Sequence, residues 1–373
     1  LRRFLFFPLL LLSAWLLASC THDVTPSTVE KIDENNRQEA FFEETSPSLR
    51  VHYINVGQAD ATLLQLVDEE EAFNILIDTG DWNANDVVNY LQKEKISEID
   101  LITITHPHAD HIGQLDKIIN TFNVGEVWMN GDTMNSQVFL NALEAIEKNG
   151  VDYYEPRAGE TFDIGALQID VVHPMDLSLN TNSNSIVIRI QYGDIAFLFT
   201  GDAERAAEDK MLASGANLNA HILHLGHHGS KTSTSVPFLE AVNPEVAIYS
   251  AGMNNAYGLP DMEVIERVNA HHTIVYGTDQ YGTILVETDG HKYHIMTEKQ
   301  GTLPPPVLGD TCININTAST EDLQQIIHIG EKTAAELVRL RPYQTLNDLL
   351  TISGIGEKRL EDIKDQNLAC IGG

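Results

Sequence analysis

The sequence is short of cysteine and of positive charge, and it has no long apolar run beyond its first twenty residues. Three cysteines in 373 residues exclude a cysteine-rich metal or disulfide scaffold and leave no thiol to spare as a nucleophile. Lysine and arginine total 23 against 54 aspartates and glutamates, a net charge of −31. Such a field keeps a chain soluble and repels polyanions, so any nucleic-acid partner must be held against it. No stretch after the leader is long and apolar enough to span a membrane, so these residues alone build no transport channel. Low-complexity tracts are absent, and the only repeat is a pair of similar turns near the C-terminus.

What is present begins with a targeting segment. Arg2 and Arg3 precede the apolar stretch Phe4 to Leu17, too short for a comfortable span. It ends in Leu17-Ala18-Ser19-Cys20, and small residues before a cysteine resemble the lipobox of bacterial lipoproteins. That reading makes residues 1–19 a signal peptide and Cys20 the lipidated residue. It places the protein in the bacterial cell envelope, exported and membrane-anchored through that lipid on the periplasmic or extracellular face. Residues 20–47 are polar and acidic and read as a tether. Cys312 and Cys370 then remain, and in an exported chain they suggest one disulfide. Closing a loop of that size is worth about 4 kcal/mol in the chain-entropy account.

From residue 48 strands and helices alternate. Val51–Val56, Ala61–Val67 and Phe73–Asp78 read as strands, and Ile99–Ile104 as a buried one. A helical pattern runs from Gly113 to Phe122, with Leu115, Ile118, Ile119 and Phe122 on one face. Between the buried strand and that helix stands Thr105-His106-Pro107-His108-Ala109-Asp110-His111. Imidazole and carboxylate are the donors that zinc and its neighbours prefer, so this loop is a candidate metal site. Other polar residues stand at the carboxyl ends of apolar strands: Asp78, His173, Asp202, and the pair His227-His228. The order of elements predicts an α/β fold of two sheets covered by helices on their outer faces.

Together, His106-x-His108-x-Asp110-His111, the later His173, Thr200-Gly201-Asp202 and Gly226-His227-His228-Gly229-Ser230 resemble the metallo-β-lactamase superfamily. With Asn55-Val56-Gly57-Gln58-Ala59-Asp60-Ala61, the closest resemblance is to the extracellular hydrolase domain of ComEC-type DNA-uptake proteins, over residues 48–298. The resemblance implies a four-layer αββα sandwich and two divalent ions, zinc or manganese. His106, His108 and His173 would hold the first, Asp110, His111 and one of His227 or His228 the second, and Asp202 would bridge. His227 stands first after its strand and is the expected ligand, which leaves His228 hydrogen-bonded nearby or acting as a proton donor. Asp78 is expected to orient an imidazole. Two ions about 3.5–4 Å apart can share a hydroxide as nucleophile, with Asp110 accepting its proton. Ser230, Lys231, Thr232, Asn184 and Tyr257 are substrate candidates. The chain departs from that family's usual pattern at Asn55 and Leu259, where Asp and His are customary.

A proline-rich linker, residues 299–309, leads to residues 310–373, which resemble a ComEA-type tandem helix-hairpin-helix domain, small and all-α. The turns are Ile327-His328-Ile329-Gly330-Glu331-Lys332 and Ser353-Gly354-Ile355-Gly356-Glu357-Lys358. In such hairpins, amides at a helix start face a phosphate, which makes Gly330, Lys332, Gly354, Gly356 and Lys358 candidate DNA contacts. His328 replaces the first glycine, and acids outnumber bases in the segment, so DNA binding there is expected to be weak, sequence-independent and salt-dependent. The combined expectation is a lipid-anchored, binuclear phosphodiesterase or nuclease acting on extracellular DNA, a partner of DNA-uptake machinery. The alternatives are a metallo-hydrolase of a cell-wall or phosphocholine phosphodiester, a lactone or a β-lactam, and a non-catalytic DNA-binding lipoprotein.

Overall fold

The structure, a computed structural model, describes residues 29–31, 48–68, 71–299, 313–343, 345–366 and 369–370. The leader with Cys20, most of the tether, the proline run and Cys312 lie outside the described residues.

Two sheets carry the larger part. In the nine-stranded sheet the spatial order is Val29–Lys31, Tyr293–Thr297, Ile284–Thr288, Ser48–Tyr53, Thr62–Asp68, Glu71–Ile77, Glu98–Thr103, Asn123–Trp128 and Asp152–Tyr154. The seven-stranded sheet runs Ile274–Gly277, Val246–Tyr249, Ile222–His224, Ile195–Phe199, Val187–Tyr192, Leu167–His173 and Thr161–Ile164. Each is antiparallel where hairpins connect it and parallel where helices intervene, because a parallel pair needs a crossover too long for a turn.

Side-chain alternation builds the layers. Leu64 and Leu66, Ile75 and Ile77, Ile188 and Ile190, Phe197 and Phe199 point into one core between the sheets. Their neighbours Leu63 and Leu76 turn outward onto Val87, Leu91, Leu115 and Phe139 of the helices Asp86–Lys93, Leu115–Ile119 and Gln137–Asn149. On the other side Leu198 and Leu223 pack against Ala207, Met211, Phe238 and Val264 of Arg205–Ser214, Val236–Val242 and Met262–Ala270. The result is four layers, helix, sheet, sheet, helix, with three apolar seams.

The helix after the histidine loop is shorter than its apolar periodicity predicts, Leu115–Ile119 rather than Gly113–Phe122. Its entry is spent on tertiary contact, since Gly113 N–H donates to Gly80 O across the loop. A side chain at Gly113 would sit 2.2–2.4 Å from Trp82 N, Gly80 O and Ala109 O, so only glycine lets these two loops close. The short strands at Asp152–Tyr154 and Thr161–Ile164 escape a sequence reading because the first is wholly exposed and the second, though Phe162 and Ile164 alternate onto the core, is only four residues long.

The C-terminal residues form their own core from Ile315, Leu323, Ile326, Leu337, Leu349 and Ile363. Helices Thr320–Leu323, Glu331–Arg339 and Glu357–Gln366 surround it, with a 3-10 turn at Leu346–Thr351. A two-residue parallel bridge, Ile313–Asn314 with Ala369–Cys370, ties its ends. Cys370 is disulfide-bonded there, and its expected partner Cys312 lies outside the described residues. Among the described residues no helix is long and apolar enough to cross a membrane.

Candidate metal centre

The parallel halves of the two sheets direct their carboxyl ends to one face, where open α/β sheets generally place their ligands. Glu98–Thr103 delivers the histidine loop, Glu71–Ile77 delivers Asp78, Ile195–Phe199 delivers Asp202, and Ile222–His224 delivers the histidine pair. Three three-donor groups result, each with its ligand atoms within 4.8 Å of one another: His106, His108 and Asp202; Asp110, His111 and His228; and Asp60, Asp78 and His111, the last held together by the hydrogen bond of His111 to Asp78. Asp202 touches the first two, with Oδ2 3.6 Å from His106 Nε2 and Oδ1 3.3 Å from His111 Nε2.

Hydrogen bonds fix which imidazole nitrogen faces the centre. His111 Nδ1 donates to Asp78 Oδ2 at 2.7 Å, His173 Nδ1 to Ser185 O at 2.9 Å, and His228 Nδ1 to Ser250 O at 2.9 Å. In its neutral form each ring therefore leaves Nε2 free to coordinate, the arrangement that outer partners give metal-binding histidines. Those three Nε2 atoms and Asp202 Oδ1 are buried without a hydrogen-bond partner. Unpaired buried polar atoms are costly, and His111 Nε2 and His228 Nε2, at 3.3 and 4.0 Å from Asp202 Oδ1, together fit a divalent cation. His106 Nε2 and His108 Nδ1 approach to 2.8 Å, again two nitrogens aimed at one place. His173 stands outside the tight trio, although its free Nε2 is buried at the same face.

The geometry reverses the expected roles of the adjacent histidines. Both have left-handed backbones, φ 52° and 54°, followed by Gly229 at 79°. Three such residues in a row twist the chain so that the second ring points inward. His228 Nε2 lies 3.4 Å from Asp110 Oδ2, whereas His227 sits at the rim, its Nδ1 3.1 Å from Thr232 Oγ1 and 3.5 Å from Glu204 Oε1. His227 Nε2 still reaches to 3.6 Å from Asp202 Oδ2. His228 rather than His227 thus falls within a three-donor group, because handedness rather than order decides which side chain enters.

Electrostatics match a site built for cations. Burial, and then charge on His111, push His106 well below the ordinary imidazole range. Burial opposes charge on His111 and His228 as well, but carboxylates outweigh it. Asp202, Asp78 and Asp110 hold His111 well above its usual value, and Asp202 with Asp110 lift His228 to about 9. Burial likewise works against Asp110 and Asp202, yet the neighbouring imidazoles, His111 foremost, hold both carboxyls below their usual range.

Among the substrate candidates, Asn184 is excluded by its burial. Its amide donates to Asp132 Oδ2 and Ser178 O, and its oxygen accepts from Ser178, so it pins the loop after His173 and has no capacity left. Ser230 is buried against Thr232, Lys231 and Thr232 are exposed beside His227, and Tyr257 is exposed on the loop near Gly229. Sequence reasoning gave no role to Asp60, Ser185 and Ser250. Asp60 is buried 3.5 Å from His224 Nε2 and accepts from Ser250 Oγ, while its backbone N–H donates to Asp110 O. The one available signal was its place in Gly57-Gln58-Ala59-Asp60, just before a strand.

In the C-terminal hairpins, Gly354 has φ +90° and His328, its counterpart, φ +65°. A histidine thus holds a backbone shape that glycine adopts freely, and its Nε2 contacts Asp362 Oδ2 at 2.6 Å. Gly330, Lys332, Gly354, Gly356 and Lys358 are all exposed.

Comparison with known proteins agrees with this architecture. The family model described as the metallo-beta-lactamase superfamily matches residues 54–252, and a helix-hairpin-helix motif matches residues 310–366. The chain is 29% identical to ComE operon protein 3 of Bacillus subtilis over 63% of its own length and 32% of that protein. It is 31% identical to Competence protein ComA of Neisseria gonorrhoeae over 62% of itself and 31% of that protein. It thus spans about a third of the length of these curated relatives. Among solved structures, Igni18, a metallo hydrolase from Ignicoccus hospitalis, matches with TM-score 0.44 and 18% identity, covering 63% of this chain and 98% of that one. With its fold, its clustered histidines and aspartates and a family match over more than half its length, the chain belongs to the metallo-β-lactamase superfamily of metallo-hydrolases and is related to competence proteins.

Proposed function

We propose that the protein is an exported, lipid-anchored phosphodiesterase that cleaves DNA at a two-metal centre. In this reading His106, His108, His173 and Asp202 hold one ion, and Asp110, His111, His228 and Asp202 the other. The observation that carries it is the pair of adjacent three-donor groups joined by Asp202, which reaches His106 in one and His111 in the other, with three of their buried donor atoms left unpaired. Zinc or manganese bound there would supply a nucleophile at neutral pH and stabilise charge on phosphate oxygens. The chain's own residues do the rest. Asp78, Ser185 and Ser250 hold the ring tautomers. Asp110, a ligand whose side chain is 35% exposed, would take the proton of the attacking water. His227, at the rim with Thr232 on one nitrogen, is placed to return a proton to the leaving oxygen.

DNA is favoured as substrate by the helix-hairpin-helix motif and by the relation to competence proteins. The hairpins would present a duplex through backbone amides, a grip that tolerates any sequence and weakens with salt. Division into a signal peptide, tether, hydrolase domain, linker and hairpin domain belongs to the same proposal, as does the envelope location. Metal-loaded protein should cleave DNA, with loss of activity on chelation and in Asp110→Ala. Zinc- or manganese-loaded protein that leaves single- and double-stranded DNA intact at low salt refutes the reading.

A further inference from the structure

A cleft of about 510 Å³ opens beside His227, lined by Glu204, Arg205, Lys231, Thr232, Val236 and Pro237, with Arg267 completing its wall. Its size falls in the range of small-ligand sites. Three cations and one carboxylate line it, and of the cations only Lys231 has no ion-pair partner among the described residues. Arg205 is partly neutralised by Asp209 at 3.1 Å and Arg267 by Glu263 at 3.0 Å, and Arg267 Nη1 also donates to Ser233 O and Thr234 O, which stiffens the wall. The Lys231 ammonium has no partner among the described residues, while its backbone N–H is fixed to Asp261 Oδ2 at 2.8 Å. The cleft adjoins the metal centre directly. Thr232 and Glu204 flank His227 Nδ1, and the opposite nitrogen of the same ring faces Asp202, so one imidazole separates the two spaces.

We propose that this cleft binds the nucleotide next to the scissile phosphodiester. Its phosphate lies between Lys231 and Arg205, and its sugar and base rest on Val236 and Pro237. The apolar wall explains why the ligand is a nucleotide rather than a bare anion, since a free phosphate leaves Val236 and Pro237 in water. Val236 is 49% exposed, an apolar surface open to such a partner. The inference rests on the phosphodiesterase reading for its orientation, but the binding it requires is measurable without turnover.

The test compares wild type, Lys231→Gln, Lys231→Arg and the double variant Lys231→Gln/Arg205→Gln. Two quantities are read: the Kd of a 5′-phosphorylated thymidine dinucleotide, and the ratio of kcat/KM for an oligothymidylate to that for bis(4-nitrophenyl) phosphate. Loss of a charge-assisted hydrogen bond should raise the dinucleotide Kd about tenfold in Lys231→Gln and lower the ratio similarly, with Lys231→Arg retaining most of both. Both side chains are exposed, so metal content and melting temperature serve as folding controls. If wild type binds the dinucleotide through Lys231 yet hydrolyses neither diester, the catalytic reading falls and the cleft stands. If the small diester is hydrolysed while the dinucleotide binds all variants equally, or none, the cleft proposal is overturned.

Discussion

Asp78→Asn is the sharpest probe of the centre, because it changes one atom and keeps the volume. Three donors converge on two carboxylate oxygens: Thr105 N–H on Oδ1 at 2.8 Å, and Thr105 Oγ1 and His111 Nδ1 on Oδ2 at 2.8 and 2.7 Å. An amide has one acceptor oxygen. If that oxygen faces Thr105 N–H, the amide NH2 meets His111 Nδ1–H, and the ring must move its proton to Nε2, the atom that faces Asp202. If it faces His111, the NH2 collides with the Thr105 amide instead. In the first case the proton occupies the nitrogen that would bind the ion, and in the second a buried donor loses its partner, which costs about 1–3 kcal/mol of stability. Loss of an orienting partner lowers metal affinity about 10- to 100-fold, or about 1.4–2.7 kcal/mol. Competition against a chromophoric chelator should show one of two ions weakened by that factor, with melting temperature reporting the structural part. Two ions bound with wild-type affinity by Asp78→Asn would refute the tautomer argument.

Three other outcomes follow from the same geometry. His228→Ala should lower the number of ions retained after gel filtration, whereas His227→Ala should keep them and lose turnover, the reverse of what sequence position suggests. The His228 pKa is raised to about 9 from an ordinary value near 6.5. Its protonated form therefore stabilises the metal-free protein fully below pH 6.5, and that contribution disappears as pH rises through 9; His111, also raised, acts in the same direction. The metal-free melting temperature should fall over this window, ion uptake should release protons, and affinity should rise with pH, all readable by calorimetry in buffers of different ionisation heat. Gly113→Ala should cost at least about 2 kcal/mol in urea denaturation, because its methyl group meets three backbone atoms that cannot yield separately.

Most of the scaffold was legible because apolar alternation is a local property. Leu64, Leu66, Ile75 and Ile77 announce their inner face, and polar residues at strand ends announce a shared cleft. What resisted reading depends on closure or on handedness. Nothing local says that Ser250 and Ser185 offer carbonyls to His228 and His173, since each pair joins different strand ends. Asn184 looked available because an asparagine in a loop usually is, and only folding shows its amide fully used. His227 and His228 are the same residue type side by side, and only the left-handed backbone they share turns the second into a donor group and leaves the first at the rim.

The shared position of Asp202 has a mechanical consequence. The two groups joined by Asp202 take members from both sheets: His106 and His108, or Asp110 and His111, from loops of one, and Asp202 or His228 from loops of the other. A cation seated in either group would act as a rivet through the seam between sheets, resisting shear that apolar packing alone permits. Small slippage along that seam would open both groups together, so damage to the interface far from any ligand should appear as loss of both ions at once.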